Sequence, residues 1–293
     1  MYYIVYPILY LASLIPFFIL YGFSDLLAFL LHRVFKYRRD VVLGNLLIAF
    51  PEKTQKEREE IAKRFYSYFT DSFIEILKMI SISKKELQKR NTGSYDLING
   101  LIAKGKSINM LCGHQFNWEC GNLLYSSKLD FPMVTIYLPV NSDVMNRIMV
   151  KIRSRFGTTM VSPNEFGNRM HSVFKRQHAL VLIADQSPAM PTSGYWINFF
   201  GRPTNFLYGP EKSAIRNKVA VLFYSYTKLK RGYYHYEPIL LTENAADLPE
   251  RGRLTCLYRD ELEKSIRNDP ANYLWSHQRY KFEWKPEYGK KIE

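Results

Sequence analysis

The sequence predicts an α/β protein, with a mostly parallel central sheet flanked by helices and an N-terminal membrane helix. Three observations predict it. After residue 105 short apolar runs alternate with helix-like stretches, as expected where strands are joined through crossover helices. Ahead of them, Ile61, Phe65, Phe69, Phe73, Ile76, Leu77 and Ile80 recur at helical spacing. Residues 1–24 carry no charged side chain.

The N-terminal run, MYYIVYPILYLASLIPFFILYGFS, is long enough to cross a bilayer as a helix, which takes roughly 20 residues. It lacks the basic start and the small-x-small cleavage site of a secretory signal, so it is expected to be retained. Tyr2, Tyr3 and Tyr6 near one end and Tyr21 near the other suit an interfacial aromatic belt. Pro7 and Pro16 speak against a straight helix, and a helix that dips into one leaflet stays open beside a spanning one. Arg33, Lys36, Arg38 and Arg39 follow without an acid, which places the C-terminal bulk on the cytoplasmic side of an inner membrane. Residues 1–31 therefore read as an anchor and 32–293 as one domain, helical over 32–104 and α/β over 105–293.

The remaining elements follow in order. A rather apolar helix covers 26–50 and stops at Pro51. Thr54-Gln55-Lys56-Glu57 has the form of a capping box and opens a helix to about residue 80, and Ser83-Lys84-Lys85-Glu86 has the same form. A helix over about 94–104 precedes the first expected strand. Strands are expected at 107–113, 131–138, 179–184, 219–227 and 233–241. Helices are expected at 117–126, 142–156, 164–177, 209–217, 253–268 and 270–278.

Composition narrows the function. The chain has 293 residues, 47% of them apolar, which excludes wholesale disorder. Cys112, Cys120 and Cys256 are too few and odd in number for a disulfide framework, and read as buried thiols. Lys and Arg total 41 against 27 Asp and Glu, a net charge of +14. Bases gather at 33–39, at 147–155 (Arg147, Lys151, Arg153, Arg155) and at 202–231. A basic protein with an apolar end calls for an anionic partner; an anionic membrane comes first, although charge alone leaves nucleic acid open.

Gly100-Leu101-Ile102-Ala103-Lys104-Gly105-Lys106-Ser107 matches the P-loop pattern letter for letter. That motif binds phosphate only when a strand leads in and a helix leads out. Here a helix leads in and a strand leads out, and Gly105 reads as a helix C-cap.

The strongest site signal is Cys112-Gly113-His114-Gln115-Phe116-Asn117-Trp118-Glu119-Cys120, directly after an apolar strand, where α/β proteins place their chemistry. Five residues of regular helix would leave His114 and Glu119 about 140° apart. They meet only if His114 lies in the strand-to-helix turn and Glu119 in the first helical turn. Glu119 would then orient the imidazole, whose free nitrogen takes a proton from a hydroxyl. A satisfied strand-end histidine is the plain alternative. A zinc site built from Cys112, His114, Glu119 and Cys120 lacks metal-ligand spacing and a second ligand cluster.

Around this pair stand R-S-R-F-G (153–157), A-D-Q (184–186), F-F-G-R-P-T (199–204) leading to G-P (209–210), and Y-L-W-S-H-Q-R-Y-K (273–281). In this order and spacing they resemble the bacterial lipid A late acyltransferase family of lauroyl/myristoyl type, itself similar to glycerolipid acyltransferases with an H-x4-[DE] motif. The chain departs from the family pattern at Asn205-Phe206-Leu207-Tyr208 and at Tyr280.

The resemblance implies a glycerolipid-acyltransferase-like fold. It also implies transfer of a fatty acyl group from acyl carrier protein or a coenzyme A thioester to a hydroxyl of a lipid A precursor. His114 would be the general base and Glu119 its orienter. Arg153 and Arg155 would steady an anion, Asp185 and Gln186 would line the same sheet edge, and Arg202 and Thr204 would lie on the substrate side, Arg202 with Lys212, Arg216 and Lys218 facing phosphorylated lipid or an acidic carrier. His277 and Trp275 fall in the C-terminal signature. No resident cofactor, metal or nucleic acid is expected. A lysophospholipid or aminolipid acceptor, and a non-enzymatic basic membrane-surface protein, are the competing readings.

Overall fold

The computed structural model describes residues 1–165, 172 and 175–292. The helix expected over 164–177 lies mostly outside them.

The N-terminal run is not one helix. It forms α1 (Tyr2–Leu14) and α2 (Phe17–Phe29), with Ile15 and Pro16 extended between them. Proline pushes its predecessor out of the helical region, which ends α1. A π-helical turn (Leu30–Val34) continues α2. Phe17–Val34 is then long and apolar enough to cross a membrane by length and composition. The helix expected over 26–50 is also split, because Lys36 and Arg38 adopt left-handed backbone before α3 (Arg39–Ala49). The Thr54 capping box forms as expected: Thr54 N–H donates to Glu57 Oε2 at 2.7 Å and Glu57 N–H to Thr54 Oγ1 at 3.3 Å, opening α4 (Gln55–Lys78). Ser83 caps α5 (Lys84–Arg90). β1 (Asn91–Gly93) and α6 (Asp96–Ala103) follow.

Among the described residues the central sheet has seven strands, in the order β1-β9-β8-β2-β5-β3-β4. These are β2 (Ile108–Cys112), β3 (Met133–Ile136), β4 (Thr159–Val161), β5 (Ala179–Ile183), β8 (Ala220–Lys230) and β9 (Tyr233–Thr242), with β1 at one edge. Every pairing is parallel except the long β8–β9 hairpin. Helices cover both faces, so its inner strands read as continuous apolar runs. Alternation sorts them. Leu111, Val221 and Phe223 pack with Tyr258 and Leu262 of the C-terminal helix; Met110, Cys112 and Leu222 pack on the other side with Leu123 and Leu124.

The remaining helices are α7 (Trp118–Lys128), α8 (Asp143–Arg153), α9 (Gly209–Asn217) and α10 (Arg253–Asn268). F-F-G-R-P-T is the tip of a hairpin, β6 (Gly194–Phe199) and β7 (Arg202–Leu207), turning through Phe200 and Gly201, both at positive φ. β10 (Lys291–Ile292) completes a second, three-stranded sheet with it.

The helix expected over 270–278 does not form. Its carbonyls are taken by α3 instead: Asn45 Nδ2 donates to Trp275 O at 2.7 Å and to His277 O at 2.8 Å, and Arg38 donates to Ser276 O at 2.8 Å. The P-loop letters fall at the end of α6, with Gly105 at φ +74 just before β2, the reverse of a phosphate-binding arrangement.

Candidate active site

β2 and β5 are parallel neighbours in a register that sets Cys112 opposite Ile183. Two residues beyond that pair stand His114 and Asp185. The register therefore brings together two side chains 71 residues apart. Asp185 Oδ1 lies 2.6 Å from His114 Nδ1, and its Oδ2 accepts the His114 backbone N–H at 3.0 Å. The carboxylate on His114 is thus Asp185, where the sequence places Glu119.

The turn between β2 and α7 is held by buried groups. Tyr258 Oη donates to Cys112 O at 2.9 Å. Gln115 Nε2 donates to Ser265 at 3.0 Å and Phe116 N–H to Asn272 at 2.6 Å. Gly113 packs so closely that a Cβ would meet Leu262 Cδ1 at 2.5 Å. Asn117 caps α7, accepting the Glu119 N–H at 3.1 Å.

Glu119 does lie in the first helical turn, as expected, and is buried. Its partner is Arg153, the last residue of α8, whose Nε lies 3.0 and 2.9 Å from the two carboxylate oxygens. Trp118 joins the two pairs: its ring meets His114 edge to face at 6.4 Å, and the Arg153 guanidinium lies 4.9 Å above it.

The charge state of the His–Asp pair follows from its surroundings. Burial alone would raise Asp185, but the His114 charge, two hydrogen bonds from His114 and the Arg279 charge hold it down to about 2. Burial alone would lower His114, and the Asp185 charge and hydrogen bond overcome this and raise it. In the neutral ring the ionised carboxylate keeps the proton on Nδ1, which leaves the lone pair on Nε2. The Gln186 amide Nε2 lies 3.2 Å from His114 Nε2. Nε2 is thus positioned to accept a proton. The neighbouring Cys112 thiol is pushed up to about 12 by burial, unsuited to nucleophilic attack.

The other expected residues divide. Arg155 turns away, donating to Met79 O at 2.6 Å. Arg202 lies on the β6–β7 hairpin against Glu283 at 3.4 Å, and Thr204 is buried in β7 with its hydroxyl on Arg202 O. Among the described residues neither bonds to His114, Asp185 or Glu119. The hairpin reaches the site through Arg279, buried in the C-terminal signature, which donates to Asn205 O at 2.8 Å and Ser187 Oγ at 3.1 Å. His277 Nε2 accepts the Ser187 N–H at 3.3 Å, and burial lowers its pKa to about 4. Trp118 and Arg279 stand inside the 112–120 and 273–281 segments without being singled out there, and Ser187 lies outside every motif. Among the described residues no group of three or more His, Cys, Asp or Glu could hold a metal ion. Behind Trp118 lies an apolar-walled pocket lined by Met110, Met133, Val181, Tyr125, Tyr224 and Tyr226.

Comparison with known proteins adds an independent line. The family model described as bacterial lipid A biosynthesis acyltransferase matches residues 1–282. A lipid A biosynthesis acyltransferase of Haemophilus influenzae is 24% identical over 242 residues, covering 82% of this chain and 74% of its own. A lipid A biosynthesis palmitoleoyltransferase of Escherichia coli K12 is 20% identical over 248 residues, 84% of this chain and 79% of its own, and a lipid A biosynthesis acyltransferase of Shigella flexneri matches to the same extent.

Proposed function

The chain belongs to the bacterial lipid A biosynthesis acyltransferase family, and on that premise we propose that it transfers a fatty acyl group from a thioester, carried by acyl carrier protein or coenzyme A, to a hydroxyl of a lipid A precursor. The observation that carries the mechanism is the Asp185–His114 pair, with the carboxylate on Nδ1.

His114 Nε2 takes the proton of the acceptor hydroxyl while Asp185 steadies the imidazolium that forms. The acceptor oxygen attacks the thioester carbonyl and a tetrahedral oxyanion results. As it collapses, the carbon–sulfur bond breaks, the leaving sulfur recovers the proton from Nε2, and the ester remains on the lipid. No enzyme nucleophile is needed. Arg153 and the Gln186 amide offer donors for the developing negative charge, and Glu119 holds Arg153 in place.

The enzyme works at the inner membrane with its catalytic domain on the cytoplasmic side, a reading supported by the apolar N-terminus and the bases that follow it. Exposed bases such as Lys212 fit an acidic carrier or phosphorylated lipid. The test is to incubate the full chain in detergent or vesicles with a lipid A precursor and either donor. Lipid product heavier by one acyl group supports the reading; acylation of a lysophospholipid and not of the precursor overturns the acceptor.

A further inference from the structure

The membrane reading above leaves open how α1 and α2 meet the bilayer. We infer that they lie flat in one leaflet of an anionic membrane and do not cross it, forming an apolar collar beside the active site. This rests on the acyltransferase reading only in taking the facing surface to be a bilayer.

The first ground is what α2 is fastened to. It runs antiparallel along α4 for nearly its whole length. The Lys78 ammonium lies 5.0 Å over the Phe17 ring, Tyr21 Oη donates to Glu75 at 3.0 Å, Ser24 Oγ donates to Asp71 at 2.8 Å, and the His32 ring lies tilted 5.1 Å from Tyr66. Arg231, between β8 and β9, reaches Asp25 at 2.7 Å and Asp71 at 2.6 Å. A crossing α2 would carry exposed Asp25 and part-exposed Arg231 into hydrocarbon with it, together with the end of a β-hairpin. Charged side chains and non-helical backbone do not face lipid at that depth.

The second ground is the break at Pro16. Lys78 Nζ donates to Ser13 O at 2.6 Å and Ile15 O at 2.9 Å, and Ser81 donates to Ser13 O at 3.1 Å, so α4 captures the carbonyls that the break releases. α1 alone has 13 residues, about 20 Å of helix against a hydrocarbon core of about 30 Å. Its other end is held by α8, with Arg147 3.9 Å over the Tyr2 ring and Lys151 3.9 Å over the Tyr6 ring. Each helix therefore has one side on the protein, and the other carries exposed Ile4, Leu11, Phe18, Phe23, Leu26 and Phe29. Exposed Arg33, Lys36 and Arg38 follow at the edge of this surface, which commits it to a leaflet with anionic headgroups.

The collar adjoins the chemistry. α8, which holds α1, ends in Arg153 on Glu119, and Glu75, which holds Tyr21, accepts Asn117 Nδ2 at 3.0 Å in the active-site turn. An acceptor lipid in the same leaflet then reaches His114 without leaving the membrane.

The test places one spin label at a time on the full chain in phosphatidylglycerol–phosphatidylethanolamine vesicles, through Ile4→Cys, Leu11→Cys, Phe18→Cys and Phe23→Cys. All four sites are exposed and the native cysteines are buried. Depth is read from relaxation by oxygen against a water-soluble nickel reagent. The four labels are expected at similar depths on one side of the midplane. A depth that runs across the midplane at about 1.5 Å per residue overturns the inference. So do four labels reached by the nickel reagent, or labels broadened by a second copy of the chain. Acyl transfer measured on the unlabelled chain in the same vesicles separates the two readings: a flat depth profile without transfer removes the acyltransferase reading and leaves the collar.

Discussion

Replacing Asp185 by Asn removes the charge beside His114 and keeps the shape. The carboxyl is held at about 2 against an ordinary 3.8, and at about 1.4 kcal/mol per unit the charged pair is favoured by ~2 kcal/mol. Asp185 is fully buried, so solvent screens little of this. Losing that support for the imidazolium alone slows the reaction about 30-fold. An amide can also turn its NH2 toward Nδ1 and favour the wrong tautomer, a fault that costs up to ~10⁴ in a Ser-His-Asp triad. Asp185→Asn is therefore expected to lower kcat by ~10²–10⁴ with little change in KM. The assay is the initial rate of acyl transfer in mixed micelles across the pH range. The base works when unprotonated, so the rate rises with pH through the His114 pKa. In wild type that limb lies above the ordinary histidine value, and in Asp185→Asn it moves down, because burial still lowers His114 while its principal raising charge is gone. Glu119→Gln should move the limb less, since Glu119 is the weaker of the two raising charges. If Glu119→Gln abolished the limb and Asp185→Asn left both kcat and limb in place, the assignment of the orienting carboxylate would be refuted.

Arg153→Ala strands the buried Glu119 carboxylate and should destabilise the fold by about 3–5 kcal/mol, read by urea unfolding, with activity lost as well; Arg153→Lys should recover part of the stability and less of the rate. The His114–Asp185 pair also makes stability depend on pH. The raised His114 contributes fully below its unfolded value of about 6.5 and loses this as pH climbs through its folded value; the lowered Asp185 contributes fully above about 4 and loses this as pH falls toward 2. The unfolding free energy separating wild type from Asp185→Asn should accordingly be largest near about pH 5 and shrink toward alkaline pH, and a difference that grows with pH would contradict the pairing.

Much of the sheet was legible in the sequence because its inner strands are buried on both faces: Ile108–Cys112, Ala179–Ile183 and Ala220–Lys230 stand out as apolar runs. β1 and β4, at three residues each, are too short to show a period. The β6–β7 hairpin turns on Phe200-Gly201 and not on Asn-Gly, so its turn chemistry is hidden. His114 and Glu119 were found by position after a strand, yet each has another partner. Asp185 reaches His114 through the β2–β5 register and Arg153 reaches Glu119 from the end of α8, and neither long-range pairing is written in local spacing. One signal was available: A-D-Q closes an apolar strand as G-H-Q does, and parallel neighbours end together. Pro16 announced the break in the N-terminal run, whereas the irregular 270–278 stretch depends on Asn45 and Arg38, more than two hundred residues away.

The central claim is that His114 Nε2 removes the acceptor proton in acyl transfer to a lipid A precursor. It is tested most directly by measuring that transfer, by mass spectrometry of the lipid product, with full-length His114→Ala in membranes at matched protein levels. The expected result is loss of the acylated product, with the variant still folded. Transfer at the wild-type rate would contradict the claim and return His114 to a structural role at the end of a strand.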